Sequence, residues 1–344
     1  MKTLASPEDL QSSKSPSKHL AVLGVLAALL VALAAFSLTV GSRSLSLETI
    51  FSALANPQES VERSLILSSR LPRALLAIFA GAGLGVAGLL AQALTRNPLA
   101  EPGILGVNAG ASLAIVTAVG FLGVSGFAGY VSFAFLGALL TAALVYLIGR
   151  PRAGSSDPVR LVLSGVAIGA IFTGLGTALS LVRPQAFDQL RAWTIGSLQG
   201  RDTSVIFPLA LLTLLGILIA ALCTRSLDGL ALGDDAATAL GINVRNTHVL
   251  VLVALTVLAA SATAAVGAIG FIGLMAPHAA RRLAGSGTGW VMAYTCLLAP
   301  MLLLIADMLG RIMLPGELQA GVVCAFIGAP LLIMLARSPK AVAL

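Results

Sequence analysis

Long stretches without Asp, Glu, Lys or Arg dominate this sequence. Eight of them are long enough to cross a bilayer, because a helix rises about 1.5 Å per residue and needs about 20 residues to cross about 30 Å of hydrocarbon. They are residues 20–42, 74–95, 102–149, 161–182, 203–224, 246–280, 283–306 and 318–336. Only 10% of the residues are charged, against about a quarter in soluble domains. This excludes a soluble enzyme, a disordered chain and a nucleic-acid-binding protein.

Two of these stretches are too long for one helix. The stretch 102–149 has 48 residues with four glycines near its middle, and the stretch 246–280 has 35 residues with three glycines before Pro277. These glycines are Gly120, Gly123, Gly126, Gly129, Gly267, Gly270 and Gly273. Because clustered glycines interrupt helices, we expect two helices in the first stretch, and a full helix followed by a short one in the second. The sequence therefore predicts an all-α membrane protein with ten transmembrane helices in residues 19–340.

The basic residues predict the orientation of the chain. Ten spans place both termini on one side, where 13 of the 21 Lys and Arg residues then lie, while the 14 acidic residues divide evenly between the two sides. Because basic residues concentrate in cytoplasmic connections, we expect both termini in the cytoplasm. Residues 1–18 are polar and precede an apolar helix that has no small-residue cleavage site. They are therefore interpreted as a cytoplasmic tail and not as a signal peptide.

The residue types that would couple transport to an energy source are scarce. No lysine lies between His19 and Pro339, so the chain has no P-loop, and another subunit must bind any ATP that is used. Asp307 is the one acidic residue expected within a helix body, and Arg311, four residues later, can pair with it. An ion-coupled secondary carrier needs an intramembrane carboxylate or histidine and therefore receives little support. No catalytic arrangement typical of an intramembrane enzyme is visible.

The cysteines and histidines do not form a metal-binding pattern. Each of the three cysteines falls inside an apolar span, without C-x-x-C spacing or a nearby histidine. We expect them to pack as small apolar side chains. The three histidines lie at predicted helix ends, where solvation at the interface or helix capping is expected. No metal and no cofactor are therefore predicted for this chain.

Two predicted helices carry stripes of small residues at helical spacing. The second predicted span, residues 74–95, has Gly81, Gly85, Gly88 and Gln92 on one face. The fifth, residues 161–182, has Gly165, Gly169, Thr173, Thr177 and Ser180 at similar spacing. Because helices in lipid associate through close packing of small residues, both stripes are interpreted first as packing seams. The hydroxyl groups of the fifth span also suit a weakly polar translocation path.

The connection between the sixth and seventh spans, residues 226–245, is predicted to contain a short exposed helix. Asp234 and Asp235 stand where carboxylates cap a helix and interact favourably with its dipole, and Gly241 stands where a helix commonly ends. A solvated connector would not need the apolar residues Leu232 and Leu240. The alternative interpretation is a helix that docks into a groove of another protein.

Three arginines are expected at the opposite face of the membrane. Arg70 and Arg73 flank Pro72 at the start of the second span, and Arg311 lies near the end of the ninth. They could extend their charged groups to the interface as long basic side chains commonly do. They could also form a cationic rim that receives acidic residues of an external partner.

The sequence from Ser69 to Ser112, which includes LTRNPLAEPGILGVNAGAS, resembles the permeases of iron-siderophore, haem and cobalamin ABC importers, the type II importers. Further similar segments are LGDDAATALG (Leu232 to Gly241), GAIGFIGLMAPHAAR (Gly267 to Arg281) and ADMLGRIMLPGEL (Ala306 to Leu318). The resemblance covers nearly the whole chain beyond its N-terminal tail. It implies a BtuC-like ABC importer permease fold of ten transmembrane helices in the bacterial cytoplasmic membrane.

The resemblance also implies partners and a cargo. It implies a second permease subunit, two ATPase subunits that bind ATP and Mg, and a periplasmic or lipid-anchored substrate-binding protein. The cargo would be a ferric siderophore, with a catecholate of the enterobactin type favoured and haem or cobalamin as alternatives. A heterodimer of two similar permeases is favoured, with a homodimer as the alternative.

Site residues follow from the same resemblance. The binding protein would dock on Arg70, Arg73 and Arg311. The cytoplasmic gates would correspond to Asn97 and Leu99 and to the loop at Pro158 and Val159, and the path to the fifth-span stripe. The ATPase would be coupled through Leu232, Gly233, Asp234, Asp235, Ala237, Leu240 and Gly241.

Overall fold

The computed structural model describes residues 16–41, 44–55, 60–149, 158–285, 287–314 and 316–337. Most of these residues are helical, and residues 1–15 of the predicted cytoplasmic tail lie outside the described ranges. The helices are α1 (Pro16–Thr39), α2 (Leu47–Ala55), α3 (Val61–Leu65), α4 (Leu71–Thr95), α5 (Val107–Phe121), α6 (Phe127–Gly149), α7 (Pro158–Val182), α8 (Pro184–Thr194), α9 (Ile206–Leu230), α10 (Asp234–Ala239), α11 (Val244–Val266), α12 (Ile272–Ala284), α13 (Thr288–Met313) and α14 (Ala320–Arg337).

The helices confirm the predicted all-α membrane architecture. In the described part of the chain, seven helices are long and apolar enough to cross a membrane, and they contain α1, α4, α6, α7, α9, α11 and α13. The shorter helices α5, α12 and α14 account for the other three predicted spans. The stretch 102–149 divides into α5 and α6, and the stretch 246–280 divides into α11 and α12, as the glycine clusters predict.

Helices α4 and α11 form the buried centre of the subunit, and the glycines of α4 allow its neighbours to approach closely. A Cβ added to Gly85 would lie 2.4 Å from the Ala299 Cβ of α13, and one added to Gly88 would lie 2.0 Å from the Gly273 carbonyl oxygen of α12. Both separations are far below van der Waals contact. The α4 stripe is therefore a packing seam, as predicted.

Helix α1 lies at the edge of the bundle and is held to α13 by an aromatic contact. The His19 ring stacks on Trp290 with 4.5 Å between the ring centroids, and His19 Nδ1 lies 3.0 Å from the Tyr294 hydroxyl. His19 is buried. The expectation of a solvated interfacial histidine was wrong here, because the ring has both a stacking partner and a hydrogen-bond partner on α13.

Two of the spanning elements are too short to cross the hydrocarbon alone. Helices α5 and α12 have 15 and 13 residues, which is about 22 Å and 20 Å of helix. Irregular backbone precedes each of them, at residues 96–106 and 267–271. Such backbone is tolerated at membrane depth only where protein buries it or where it lines a cavity. The two segments are in contact with each other, because the Glu101 carboxylate accepts the N–H of Phe271.

Candidate functional site

The arginines predicted near the start of α4 belong to a buried cluster of charges. Arg73 donates to Asp307 at 2.7 Å and to Glu317 at 2.8 Å, so it joins α4 to α13 and to the segment after it. Arg311 donates through Nε to the other Asp307 oxygen at 2.9 Å. The predicted pairing of Asp307 with Arg311 is therefore confirmed. We call Arg70, Arg73, Asp307, Arg311 and Glu317 the arginine cluster.

The end of α1 supplies further acceptors to the arginine cluster. Arg311 donates to the Ser37 carbonyl at 2.8 Å and to the Val40 carbonyl at 3.1 Å, and Arg70 donates to the Leu38 carbonyl. Arg70, Arg73 and Arg311 are 4%, 7% and 4% exposed. The guanidinium groups of the predicted cationic rim are therefore buried and donate to acceptors within the subunit, while docking of a partner at them stays a prediction.

The predicted docking helix is present as α10, with six residues. It follows Gly233, and Gly241 at its end has a φ of +79°, a left-handed conformation that glycine adopts without strain. Leu232 and Leu240 are exposed, at 68% and 65%. The short exposed helix with apolar neighbours is therefore confirmed in geometry, while its contact with a partner stays a prediction.

Two details of α10 differ from the sequence interpretation. The residue that caps its start is Gly233, which has no side chain, and Asp234 forms an ion pair with Arg96. Ala237 is fully buried. It therefore faces the subunit itself, and Leu232 and Leu240 are the side chains available to a partner.

The loop of the predicted first gate begins at the end of α4. Arg96 has a φ of +50°, which is unusual for a residue other than glycine, and its backbone N–H closes the helix on the Ala93 carbonyl. The Arg96 guanidinium donates to the Leu230 carbonyl at 3.2 Å. Asn97 then accepts the N–H of Leu99 at 2.9 Å, which forms a compact turn.

The other end of this loop is held by Glu101, which the sequence interpretation did not single out. Its carboxylate accepts the N–H of Phe271, the residue before α12. Burial raises the pKa of Glu101 above the usual carboxyl value, and the hydrogen bond from Phe271 offsets part of this rise. The acidic residue in the RNPLAEP sequence was visible, but its partner 170 positions away was not.

Gln92 supports the same region from α4. Its Nε2 donates to the Gly273 carbonyl at 3.1 Å, and its Oε1 accepts from Arg281 at 2.7 Å. A buried amide is stable only when its polar atoms are paired. Gln92 therefore fixes the start and the end of α12 against α4, and the stripe to which it belongs has a structural role.

The residues of the predicted path lie on different sides of α7. Gly165 is buried, and a Cβ added there would lie 2.0 Å from the Ile104 carbonyl oxygen. Thr173 and Thr177 are exposed, whereas Ser180 is buried and donates to the Thr177 carbonyl. The stripe therefore combines a packing contact near its start with an exposed hydroxyl-bearing face further along.

The remaining predicted positions lie in the first half of α7. Gly169 is partly buried and near Gly106, and Val159 is exposed at the start of α7. Pro158 begins α7, but its side chain lies outside the described part of the structure. Among the described residues, no group of three or more His, Cys, Asp or Glu side chains is placed to hold a metal ion.

Comparison with known proteins identifies similar sequences and folds. Residues 29–338 match the model of the FecCD transport family. The chain is 45% identical to the ferric enterobactin transport system permease protein FepD of Escherichia coli (strain K12) over 328 residues, 95% of this chain and 98% of that protein. It is 35% identical to the Fe(3+)-citrate import system permease protein YfmD of Bacillus subtilis (strain 168), over 88% of this chain and 90% of that protein.

A solved structure has the same fold. It is described as an inward-facing conformation of a metal-chelate type ABC transporter, with a TM-score of 0.80 and 30% identity over 91% of this chain and 98% of that chain. A second structure, of PsaBC from Streptococcus pneumoniae, has a TM-score of 0.59 and 18% identity over 85% of this chain and 97% of that chain, and it supports the fold alone.

Proposed function

Because the chain belongs to the FecCD transport family, we propose that it is the permease subunit through which a ferric siderophore crosses the bacterial cytoplasmic membrane, and that the siderophore is a catecholate of the enterobactin class. The observation that supports this choice of cargo is the 45% identity, over 95% of the chain, to a ferric enterobactin permease. Identity to the citrate permease compared above is lower, at 35%.

Partner subunits would supply the energy for transport and much of the selectivity for the siderophore. The chain has no P-loop, and its spans contain few charges that could hold an anionic chelate. We propose two ATPase subunits that bind ATP and Mg, a second permease that forms a heterodimer with this one, and a periplasmic or lipid-anchored binding protein that selects the siderophore. Both termini lie in the cytoplasm. An ion-coupled carrier has less support, because Asp307 is already paired with two arginines.

The binding protein would dock beside the arginine cluster. The cluster brings three guanidinium groups and two carboxylates together, so this region has more basic than acidic side chains. Acidic side chains of the binding protein would be attracted to this basic region. This gives Arg70, Arg73 and Arg311 a shared electrostatic role in docking, although each is buried.

On the cytoplasmic side, the ATPase would bind the surface around α10 through Leu232 and Leu240, which are exposed and apolar. Movement of α10 would open and close the loop at Asn97 and Leu99. The exposed face of α7 at Thr173 and Thr177 would line part of the path between the two permeases.

Uptake in cells tests the cargo. A bacterial strain that lacks its own catecholate permease and expresses this chain with its partners is supplied with iron-55 as ferric enterobactin, ferric citrate or ferric hydroxamate. We expect uptake of the catecholate alone, and unlabelled haem and cobalamin are added as competitors. Uptake of citrate or hydroxamate without catecholate, or strong competition by haem or cobalamin, would disprove the proposed cargo.

A further inference from the structure

The loop of residues 96–101 is fastened at both ends by charged side chains to two other elements. At its start, Arg96 forms an ion pair with Asp234 of α10 and donates to the Leu230 carbonyl just before it. At its end, Glu101 accepts the N–H of Phe271 at the start of α12. We call residues 96–101 the gate loop.

Each fastening joins parts of the chain that are far apart in sequence. Arg96 and Asp234 are separated by 138 positions, and Glu101 and Phe271 by 170. The backbone between the two fastenings is compact, because Leu99 donates to the Asn97 side chain at 2.9 Å and Ala100 donates to the Asn97 carbonyl at 3.0 Å. A short segment with internal hydrogen bonds transmits displacement better than an extended one.

The geometry of Arg96 suits the transfer of a displacement from α10 to the gate loop. The side chain of Arg96 is 43% exposed, and exposed ion pairs contribute little to folding stability. Arg96 nevertheless adopts a left-handed backbone conformation, which is unfavourable for a side chain of this kind. Neither feature is explained by a need for stability, whereas both are explained if the guanidinium must reach α10 from the end of α4.

At the other anchor, Phe271 is also left-handed, with a φ of +68°, and directs its N–H at Glu101. Helix α12 starts within the subunit, so this N–H has no partner in its own helix. The Glu101 carboxylate supplies one, and the gate loop is thereby attached to the element that packs against the centre of α4 at Gly88.

We propose that Arg96 and Glu101 are positioning residues of the transport cycle, which together make the gate loop a mechanical link between α10 and α12. This proposal rests on the proposed function, because it takes α10 as the element that the ATPase moves. When α10 moves, Arg96 pulls the start of the gate loop, and the loop transfers the displacement to α12 through Glu101.

The transporter is tested as the full complex in liposomes with its binding protein. The measurement is the amount of ferric catecholate imported per ATP hydrolysed. For Arg96→Asn, whose new residue tolerates the left-handed backbone, we expect ATP hydrolysis to persist and import per ATP to fall by at least about fivefold, the lower range of a typical coupling energy. Asp234→Asn should give the same loss.

Rescue distinguishes positioning from a structural role. The exchange of the pair, Arg96→Asp with Asp234→Arg, should restore most of the import per ATP, because the ion pair is re-formed with its charges reversed. Glu101→Gln keeps an oxygen that can accept the Phe271 N–H and should couple normally, whereas Glu101→Ala should not. If Arg96→Asn unfolds the subunit, Asp234→Asn decides, since it leaves the bond from Arg96 to the Leu230 carbonyl available.

The matched control is Arg225→Gln, because Arg225 is exposed on α9 and forms no ion pair in the described part of the chain. If Arg96→Asn, Asp234→Asn and Glu101→Ala all couple as well as this control, the proposal is wrong. If the unmutated complex imports nothing when it hydrolyses ATP, the proposed function itself fails, which is a different result.

Discussion

Arg73 and Asp307 are 234 residues apart in the sequence and form a buried ion pair, with 2.7 Å between Nη2 and Oδ1. The pair joins the beginning of α4 to the last third of α13. Asp307 also binds Arg311 on its own helix. One carboxylate therefore pairs with two buried guanidinium groups. Its removal leaves Arg311 without this carboxylate and Arg73 with Glu317 alone.

The first prediction concerns this carboxylate. We expect Asp307→Asn to destabilise the subunit by about 3–5 kcal/mol, because breaking a buried ion pair leaves the Arg311 charge buried without its carboxylate partner. Thermal unfolding of the detergent-solubilised protein measures the loss. In the Asp307→Asn background, Arg311→Met should recover part of the lost stability, because it removes the Arg311 charge.

Asp188→Asn is the control for this measurement, because Asp188 is exposed on α8. It removes the same charge without unpairing a buried group. Equal melting temperatures for the variants at Asp307 and Asp188 would contradict a structural role for the buried pair.

Sequence reasoning reached the parts of this structure that depend on local pattern. The break between α11 and α12 follows from glycines close together in the chain, and the contact of Asp307 with Arg311 follows from helical spacing. The pairing of Asp307 with Arg73 could not be predicted, because it depends on how α4 and α13 are positioned in three dimensions. The burial of Ala237 has the same origin, since a six-residue helix does not reveal its inner face by periodicity.

The second prediction tests the close packing of α4. We expect Gly88→Ala to prevent correct assembly of α12 against α4, because the new Cβ would lie 2.0 Å from a backbone oxygen that cannot rotate away. Gly174→Ala on α7 is the matched control, since nothing lies within 4 Å of its Cβ position. The control should be stabilised by about 0.5–1 kcal/mol.

The yield of monodisperse protein and its melting temperature give the readout for both glycine variants. Similar values for the two would mean that α12 does not approach α4 as closely as the structure has it.

The third prediction separates the exposed residues of α10 and its flanks from the buried one. We expect the double variant Leu232→Ser and Leu240→Ser to lose co-purification with the ATPase while its melting temperature stays near that of the unmutated subunit, because exposed substitutions change stability by less than about 0.5 kcal/mol. Ala237→Leu should instead lower the stability by about 1–3 kcal/mol, because the site is already filled.

If the serine variant retained the ATPase in full, the apolar residues beside α10 would not form the contact. If Ala237→Leu left the melting temperature unchanged, the inner face of α10 would be packed more loosely than the structure has it.

The fourth prediction concerns pH and Glu101. Burial raises the pKa of Glu101, so the folded subunit favours the protonated carboxyl. The corresponding stability is fully present below the usual Glu pKa of about 4.3 and is lost as the pH rises through the raised value. Glutamine stays neutral, so Glu101→Gln should gain stability relative to the unmutated chain as the pH rises, until the gain levels off.

Asp202 provides a comparison of opposite sign. The N–H of Ser204 donates to this exposed carboxylate and lowers the pKa of Asp202, so the stability that it contributes is present above the usual pKa and is lost as the pH falls. Asp202→Asn should therefore lose stability relative to the unmutated chain as the pH rises. Melting temperatures are measured between about pH 2 and pH 8, a range that includes the usual pKa values of Asp, about 3.9, and Glu, about 4.3. Parallel curves for Glu101→Gln and the unmutated chain would show that Glu101 has the same pKa in the folded and unfolded states.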